Sequence, residues 1–305
     1  LFEKKRRSNM KKVILLVLMV GLLALTGMAA KTIGFAVSTL ANPFFVTMKE
    51  GGEAKAAELG LGFVVLDAQD SPEKQFSQVQ DLIIRKVDVL IINPVDSDAI
   101  VPAVLEANAA GIPVITVTRP SNGGVVAQHL DIDNKEAGML AAVAMANALN
   151  GKGRVAILEG IPGAPSATDR QQGFVDELKK YPDIQVVTSL TANYSREQGA
   201  TVAEDILQGN PVLNGIYGHN DEMALGAVRA AIAAGRLSEL KIVGIDATDD
   251  ALAAIKAGEM VATVQQQPAL QMAMAVVAAQ RIINGTTVEP KVIIPLKLIT
   301  IEELQ

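Results

Sequence analysis

The chain has 305 residues, a formal net charge of -6, few aromatic residues and no cysteine. The absence of cysteine excludes disulfides, thiol catalysis and cysteine-ligated zinc together, so a hydrophobic core has to hold the fold unaided. The acidic balance argues against a nucleic-acid-binding surface.

At the N-terminus, Lys4, Lys5, Arg6 and Arg7 precede Met10, Lys11 and Lys12. An apolar run follows from Val13 to Met19 and on through Gly21 to Thr26, and Gly27-Met28-Ala29-Ala30 closes it. Basic region, apolar core and small-residue exit form the order of a secretory signal peptide, with cleavage expected before Lys31. The uncharged stretch is also about one bilayer thickness long, which makes a retained membrane anchor the alternative; no stop-transfer flank follows it. A lipid anchor would need a cysteine at the cleavage site. The expected product is a soluble periplasmic protein of about 275 residues once residues 1–30 are removed, more acidic than its precursor, with Met10 as the natural start and residues 1–9 as an upstream extension. That length suits two domains of ordinary size.

Beyond the signal, short apolar runs alternate with longer helical patterns. Strands are expected at Thr32 to Val37, Phe63 to Asp67, Val89 to Ile92 and Pro113 to Val117, with helices near Phe44 to Glu58, Lys74 to Arg85 and Ile100 to Ala109. The rhythm resumes with strands at Arg154 to Leu158, Gln185 to Leu190, Gly215 to Gly218, Lys241 to Ile245 and Val261 to Val264. Helical patterns at Ala167 to Lys180, Arg196 to Leu207, Met223 to Ala233 and Asp249 to Ala257 separate them. Such spacing predicts an α/β fold of two doubly wound, Rossmann-like lobes, with the first break between Gln128 and Asp133. Asn42-Pro43 and Asn220-Asp221-Glu222 read as helix starts, a capping amide followed by proline in one and by acids in the other. No tandem repeat or low-complexity tract interrupts the pattern.

Ligands of open α/β sheets bind beyond the carboxyl ends of the strands. Here those positions are polar: Ser38 to Phe45, Asn93 to Asp96 and Thr118-Arg119-Pro120 in the first half; Gly160 to Arg170, Asn193-Tyr194, His219-Asn220-Asp221, Asp246-Ala247-Thr248 and Gln265-Gln266-Gln267 in the second. A sugar presents apolar faces and a rim of hydroxyls, and calls for flat rings against the faces and amides, carboxylates and guanidinium groups around the rim. Phe44 and Phe45 offer the rings, although both also read as core; Asn42 also reads as a helix cap. Arg119 and Arg170, one from each half, join Asp246, Asn93, Asn220 and Gln266 as rim candidates, the alternative for each arginine being a solvated surface. Catalysis finds no comparable pattern. The two histidines, His129 and His219, fit no metal-ligand spacing. No GxSxG elbow is present, Gly34 does not open a GxGxxG fingerprint, and Gly151-Lys152-Gly153 lacks the rest of a phosphate loop. A non-enzymatic receptor without cofactor or metal is expected.

On these residues the chain resembles the type I periplasmic binding proteins that serve bacterial ABC importers, above all the ribose-binding branch and its monosaccharide-binding relatives. The carrying motifs are Ser38-Thr39-Leu40-Ala41-Asn42-Pro43-Phe44-Phe45, Ile92-Asn93-Pro94-Val95-Asp96-Ser97-Asp98, Asn220-Asp221-Glu222-Met223-Ala224-Leu225-Gly226 and Val243-Gly244-Ile245-Asp246, within a likeness running from Lys31 to the C-terminus. The resemblance implies sugar contacts from Asn42, Phe44, Phe45, Asn93 and Arg119 in one lobe and from Arg170, Tyr194, Asn220, Asp246 and Gln266 in the other. It also implies three crossings between lobes, made of residues 31–132 with 267–294 and 133–266 with 295–305. It implies a membrane permease as partner, a chemotaxis receptor in some members, no nucleic acid and a monomeric state. Three departures stand out: Thr118 replaces the aspartate of an Asp-Arg pair, Tyr194 a phenylalanine, and Ile245 an aromatic residue. Monosaccharide binding is therefore a firmer expectation than ribose, with a nucleoside, a furanose autoinducer or an amino acid as alternatives. A sugar-sensing repressor of similar core would need a helix-turn-helix where the export signal stands.

Overall fold

The computed structural model describes residues 30–305. The export signal expected over residues 1–30 thus lies, up to residue 29, outside the described residues. Among the described residues no helix is long and apolar enough to cross a membrane.

From Thr32 to the C-terminus the chain forms one compact unit built around two six-stranded sheets. The first contains β1 (Thr32–Val37), β2 (Gly62–Asp67), β3 (Val89–Ile92), β4 (Val114–Val117), β5 (Gln128–Asp131) and β11 (Lys291–Ile293), in the order β11-β5-β4-β3-β1-β2. The second contains β6 (Gly153–Glu159), β7 (Ile184–Thr191), β8 (Gly215–Gly218), β9 (Lys241–Asp246), β10 (Ala262–Gln265) and β12 (Lys297–Ile299), in the order β12-β10-β9-β8-β6-β7. All pairings are parallel except the edge pair of β10 with β12. Parallel strands covered on both faces need apolar side chains on both, and β3 and β4 are buried at every residue. In each sheet the strand order reverses beside the first strand, at β1/β3 and at β6/β8, which opens a crevice at the carboxyl ends.

The helices connecting these strands are α1 (Pro43–Glu58), α2 (Pro72–Ile84), α3 (Val101–Ala109), α4 (Asn134–Ala148), α5 (Pro165–Leu178), α6 (Arg196–Gly209), α7 (Asp221–Ala233), α8 (Asp249–Ala257) and α9 (Pro268–Ile283). Several start as the sequence prescribes. Asn42 caps α1 by accepting from Phe44 N at 2.9 Å, and Asn220 caps α7 by accepting from Met223 N at 3.0 Å. Helices α4 and α5 meet through two glycines: a Cβ on Gly138 would lie 2.1 Å from the Arg170 carbonyl oxygen, and one on Gly173 would lie 2.0 Å from that of Lys135. Only hydrogen fits at either place. That close approach sets the backbone of Arg170 against the start of α4.

The stretch from Gln128 to Asp133, where the first break is expected, begins with strand β5 of the first sheet, and the chain passes to the second sheet between Asp131 and Asn134. Helix α9 and strands β11 and β12 were not expected. Although it follows the whole second sheet in sequence, α9 packs on α1 and the first sheet, and its Met272, Ala275, Val276 and Ala279 share a core with Ile33, Phe35 and Val37.

Candidate functional site

The strand ends of the two sheets enclose a cavity of about 300 Å³. Its wall includes Asn42, Phe44, Phe45, Thr118 and Arg119 from the side of the first sheet, and Arg170, Tyr194, Asn220, Asp246 and Gln266 from the side of the second. Of the expected site residues, Asn93 alone is not on this wall. It is fully buried one step behind it. Its Oδ1 accepts from the Ser38 hydroxyl at 2.6 Å, and its Nδ2 donates to the Val117 carbonyl at 3.1 Å and to the Thr118 hydroxyl. Gln75 Nε2 donates to the Asn93 carbonyl at 2.8 Å. These bonds tie together the ends of β1, β3 and β4.

The aromatic part of the wall is rigid. Phe44 and Phe45 sit edge to face, centroids 5.1 Å apart at 84°, and both are embedded in the core that α1 forms with β1 and β4. Consecutive helical residues diverge, yet both rings reach the cavity because the pair opens the first turn of α1. Core and wall readings thus hold together. Across the cavity Tyr194 lies at the second of two successive left-handed residues, after Asn193. Its hydroxyl shares a hydrogen bond with Ser166 at 2.9 Å, and its ring covers Gly160, where an added Cβ would meet ring atoms at 2.1 Å.

Both arginines are buried and, among the described residues, neither has a carboxylate ion pair. Arg119 donates through Nη1 to the Pro94 carbonyl at 2.9 Å and to that of Val95 at 3.3 Å; burial pulls its pKa down from the usual value. Arg170 donates from Nε to Asn134 Oδ1 at 3.0 Å and from Nη1 to the His219 carbonyl at 2.6 Å, and its guanidinium carbon lies 6.0 Å from the Tyr194 ring centre. His219 is enclosed and held neutral, its pKa pushed down to about 3 by burial first and by Arg170 second. Its Nδ1 accepts from Gly160 N at 3.1 Å, which leaves the proton on Nε2, facing Gln171 Oε1 at 2.9 Å. The histidine orients a loop and offers no base to the cavity.

Asp246 ends β9 with φ 138° and is followed by left-handed Ala247. It accepts from Gln266 Nε2 at 2.5 Å, and its carboxyl is held well above the ordinary range by burial, then by the neighbouring Asp221, while Arg170 acts in the opposite direction. Asp221 is fully enclosed behind it. It accepts from the Thr263 hydroxyl at 2.7 Å and Thr248 N at 2.9 Å, yet burial raises its pKa to about 6. A carboxyl with a higher pKa folded than unfolded holds its proton more tightly in the fold. Its share of stability is therefore complete below the unfolded value near 3.8 and falls as pH rises through about 6, by on the order of 3 kcal/mol. Asp221→Asn keeps an acceptor and cannot ionise. In ligand-free melts, the variant's melting temperature relative to wild type is expected to climb between pH 4 and pH 7; a flat difference would refute the assignment.

Several wall residues are not among the expected ligand contacts: Thr39 and Ser166, which lie in the polar strand-end segments, and Asp70, Asp131, Asn134, Arg196 and Glu222. Asp70 follows β2 and Asp131 ends β5, so the strand-end rule applied to those two strands would have found both. Arg196 forms a two-point ion pair with Glu222, at 2.9 and 2.6 Å, and also meets Asp250 at 2.7 Å. Nothing in local sequence marks that partnership. Among the described residues no group of three or more His, Cys, Asp or Glu is placed to hold a metal ion.

Comparison with known proteins agrees with this geometry. A family model described as periplasmic binding protein domain matches residues 33–287. The chain is 44% identical to the ribose import binding protein of Bacillus subtilis over 269 residues, 88% of this chain and 87% of that one. Among solved structures, an ABC transporter periplasmic solute binding protein from Actinobacillus succinogenes with bound D-allose superposes with a TM-score of 0.86 at 34% identity, covering 89% of this chain and 98% of the other. The Caulobacter myo-inositol binding protein bound to myo-inositol gives 0.84 at 35% identity, covering 91% and 97%.

Proposed function

The chain belongs to the family of periplasmic binding protein domains, and from that membership we propose that it captures a monosaccharide between two closing lobes and delivers it to the membrane permease of an ABC importer. The observation that carries the reading is the division of the cavity wall. Two edge-to-face rings and Arg119 stand at the strand ends of one sheet; Arg170, Tyr194, Asp246 and Gln266 stand at those of the other. A ligand that touches both sets is bound better by a closed arrangement than by an open one, and that differential affinity is what shifts a population toward closure. The lobes in this proposal are residues 31–132 with 267–294 and 133–266 with 295–305, and the protein works in the periplasm, binding without turnover.

Rings against the faces of a sugar and charged or amide groups around its hydroxyls assign each class of wall residue a use. The named relatives bind sugars or a cyclitol, which supports the same ligand class. The test is a thermal-shift panel of monosaccharides on protein that has been unfolded and refolded to strip carried-over ligand. A ligand that binds only the folded form at about a hundred times its Kd adds about 2.7 kcal/mol of stability, so at least one pentose or hexose is expected to raise the melting temperature by several degrees. Silence across all sugars, with a response to a nucleoside or an amino acid, would overturn the proposal.

A further inference from the structure

We infer that the rim carboxylate of this sugar site has moved from position 118 to Asp131, with Asp70 a second acid elsewhere on the same wall, and that the ligand so recognised is a hexose or a cyclitol in preference to a pentose. The inference rests on the monosaccharide reading above and deepens it.

The Thr118 hydroxyl is already occupied. It donates to the Val117 carbonyl at 2.8 Å and accepts from Asn93 Nδ2, so it has no proton left to give and one lone pair left to offer. A carboxylate's two-point grip on neighbouring hydroxyls is beyond it. Asp131 stands alongside on the next strand: β4 and β5 are parallel with Val117 opposite Leu130, and Thr118 N donates to the Leu130 carbonyl at 2.9 Å. Adjacent strands lie about 4.8 Å apart, so the acid sits about one strand spacing from where an aspartate at 118 would begin. Both residues are on the cavity wall.

The Asp131 carboxylate is also held in position. Oδ1 accepts from Ile132 N at 2.7 Å and Oδ2 from Asn134 Nδ2 at 3.2 Å, one bond per oxygen, and each oxygen retains a lone pair for a hydroxyl. Asp70 reaches the same wall from the turn after β2. Its N donates to the Ser38 carbonyl at 2.8 Å. Both acids lie within electrostatic range of Arg119. The wall therefore carries acids from both sheets, Asp70 and Asp131 from the first and Asp246 from the second, with the short Thr118 side chain between the strands. A pentose ring presents fewer hydroxyls than a hexose or cyclitol, and the additional ring hydroxyl or hydroxymethyl arm is the group this inference assigns to Asp131.

Isothermal titration of refolded protein with D-ribose, D-allose and myo-inositol, repeated on Asp131→Asn, Asp70→Asn and Thr118→Asp, tests this. In wild type, allose or myo-inositol is expected to bind at least about tenfold more tightly than ribose, the two arms separating hexose from cyclitol. Asp131→Asn is expected to cost that ligand about tenfold or more, and ribose less than about threefold, with Asp70→Asn smaller in the same direction. Thr118→Asp, which leaves the Asp131 bonds in place, is expected to shift preference toward ribose; it decides the matter if the asparagine variants fail to fold. Ribose as the tightest ligand, or asparagine variants within twofold of wild type, would overturn the inference and leave the monosaccharide reading standing. Absence of any sugar binding would overturn both.

Discussion

Asp246→Asn is expected to lower sugar affinity about a hundredfold while raising the melting temperature of the ligand-free protein. The two effects have one cause. Asp246 is 5% exposed, and its charge is disfavoured by burial and by Asp221 behind it, so an ionised carboxylate there costs stability until a ligand arrives. Asparagine has the same shape, keeps an oxygen for Gln266 Nε2 and removes the charge. A gain of about 1 kcal/mol in a chain of this size is about 2–4 °C. A sugar held by that carboxylate would lose the charge assistance of its hydrogen bond, worth about 1.5–3 kcal/mol, which is the source of the expected affinity loss. Calorimetric titration reads one effect and thermal melting the other. A destabilised variant would show that the carboxylate is held by its surroundings in the empty site; unchanged affinity would show that it does not face the ligand.

Arg170→Ala is expected to damage both properties, with affinity down about a thousandfold and ligand-free stability down by about 2–4 kcal/mol. Its guanidinium is a structural part of the second sheet's strand ends, tying Asn134 at the start of α4 to the His219 carbonyl after β8. Truncation leaves two buried acceptors without their donor and removes the cation that counters the raised Asp246 carboxyl. Arg170→Lys keeps the charge and has a single head group in place of the planar fork, so an intermediate loss in both quantities is expected. Urea unfolding combined with titration separates the effects. Loss of affinity with unaltered stability would show that the Asn134 and His219 bonds contribute nothing to the fold.

The contrast between these residues follows from what sequence shows and what it hides. That Asp246 stands at a strand end and that Arg170 lies on the helical segment following a strand is legible, because Ile242-Val243-Gly244-Ile245 and Val155-Ala156-Ile157-Leu158 are uninterrupted apolar runs that parallel strands demand. Strand β5 is hidden because Gln128-His129-Leu130-Asp131 carries only one apolar residue, its Gln128 side chain being satisfied by the Glu289 carbonyl at 2.6 Å. Missing β5 meant missing Asp131. Helix α9, packed beside α1 on the first sheet, is apolar even at exposed Leu270 and Met274, and a pattern without a polar stripe has no helical period to detect. The placement of Asn93 behind the wall depends on Ser38, Thr118 and Gln75 converging from separate segments, which spacing along the chain does not encode.

The late arrival of α9 and β11 has a consequence for how the molecule is made. Met272 and Val276 complete the core begun by Ile33 and Phe35, and Gln271 Nε2 closes on the Leu130 carbonyl at 2.9 Å across 141 residues. Until those residues are synthesised, that face of the first sheet is covered by α1 alone, and contacts spanning so much chain form slowly. The part of the protein that leaves the ribosome first is thus among the last to become native.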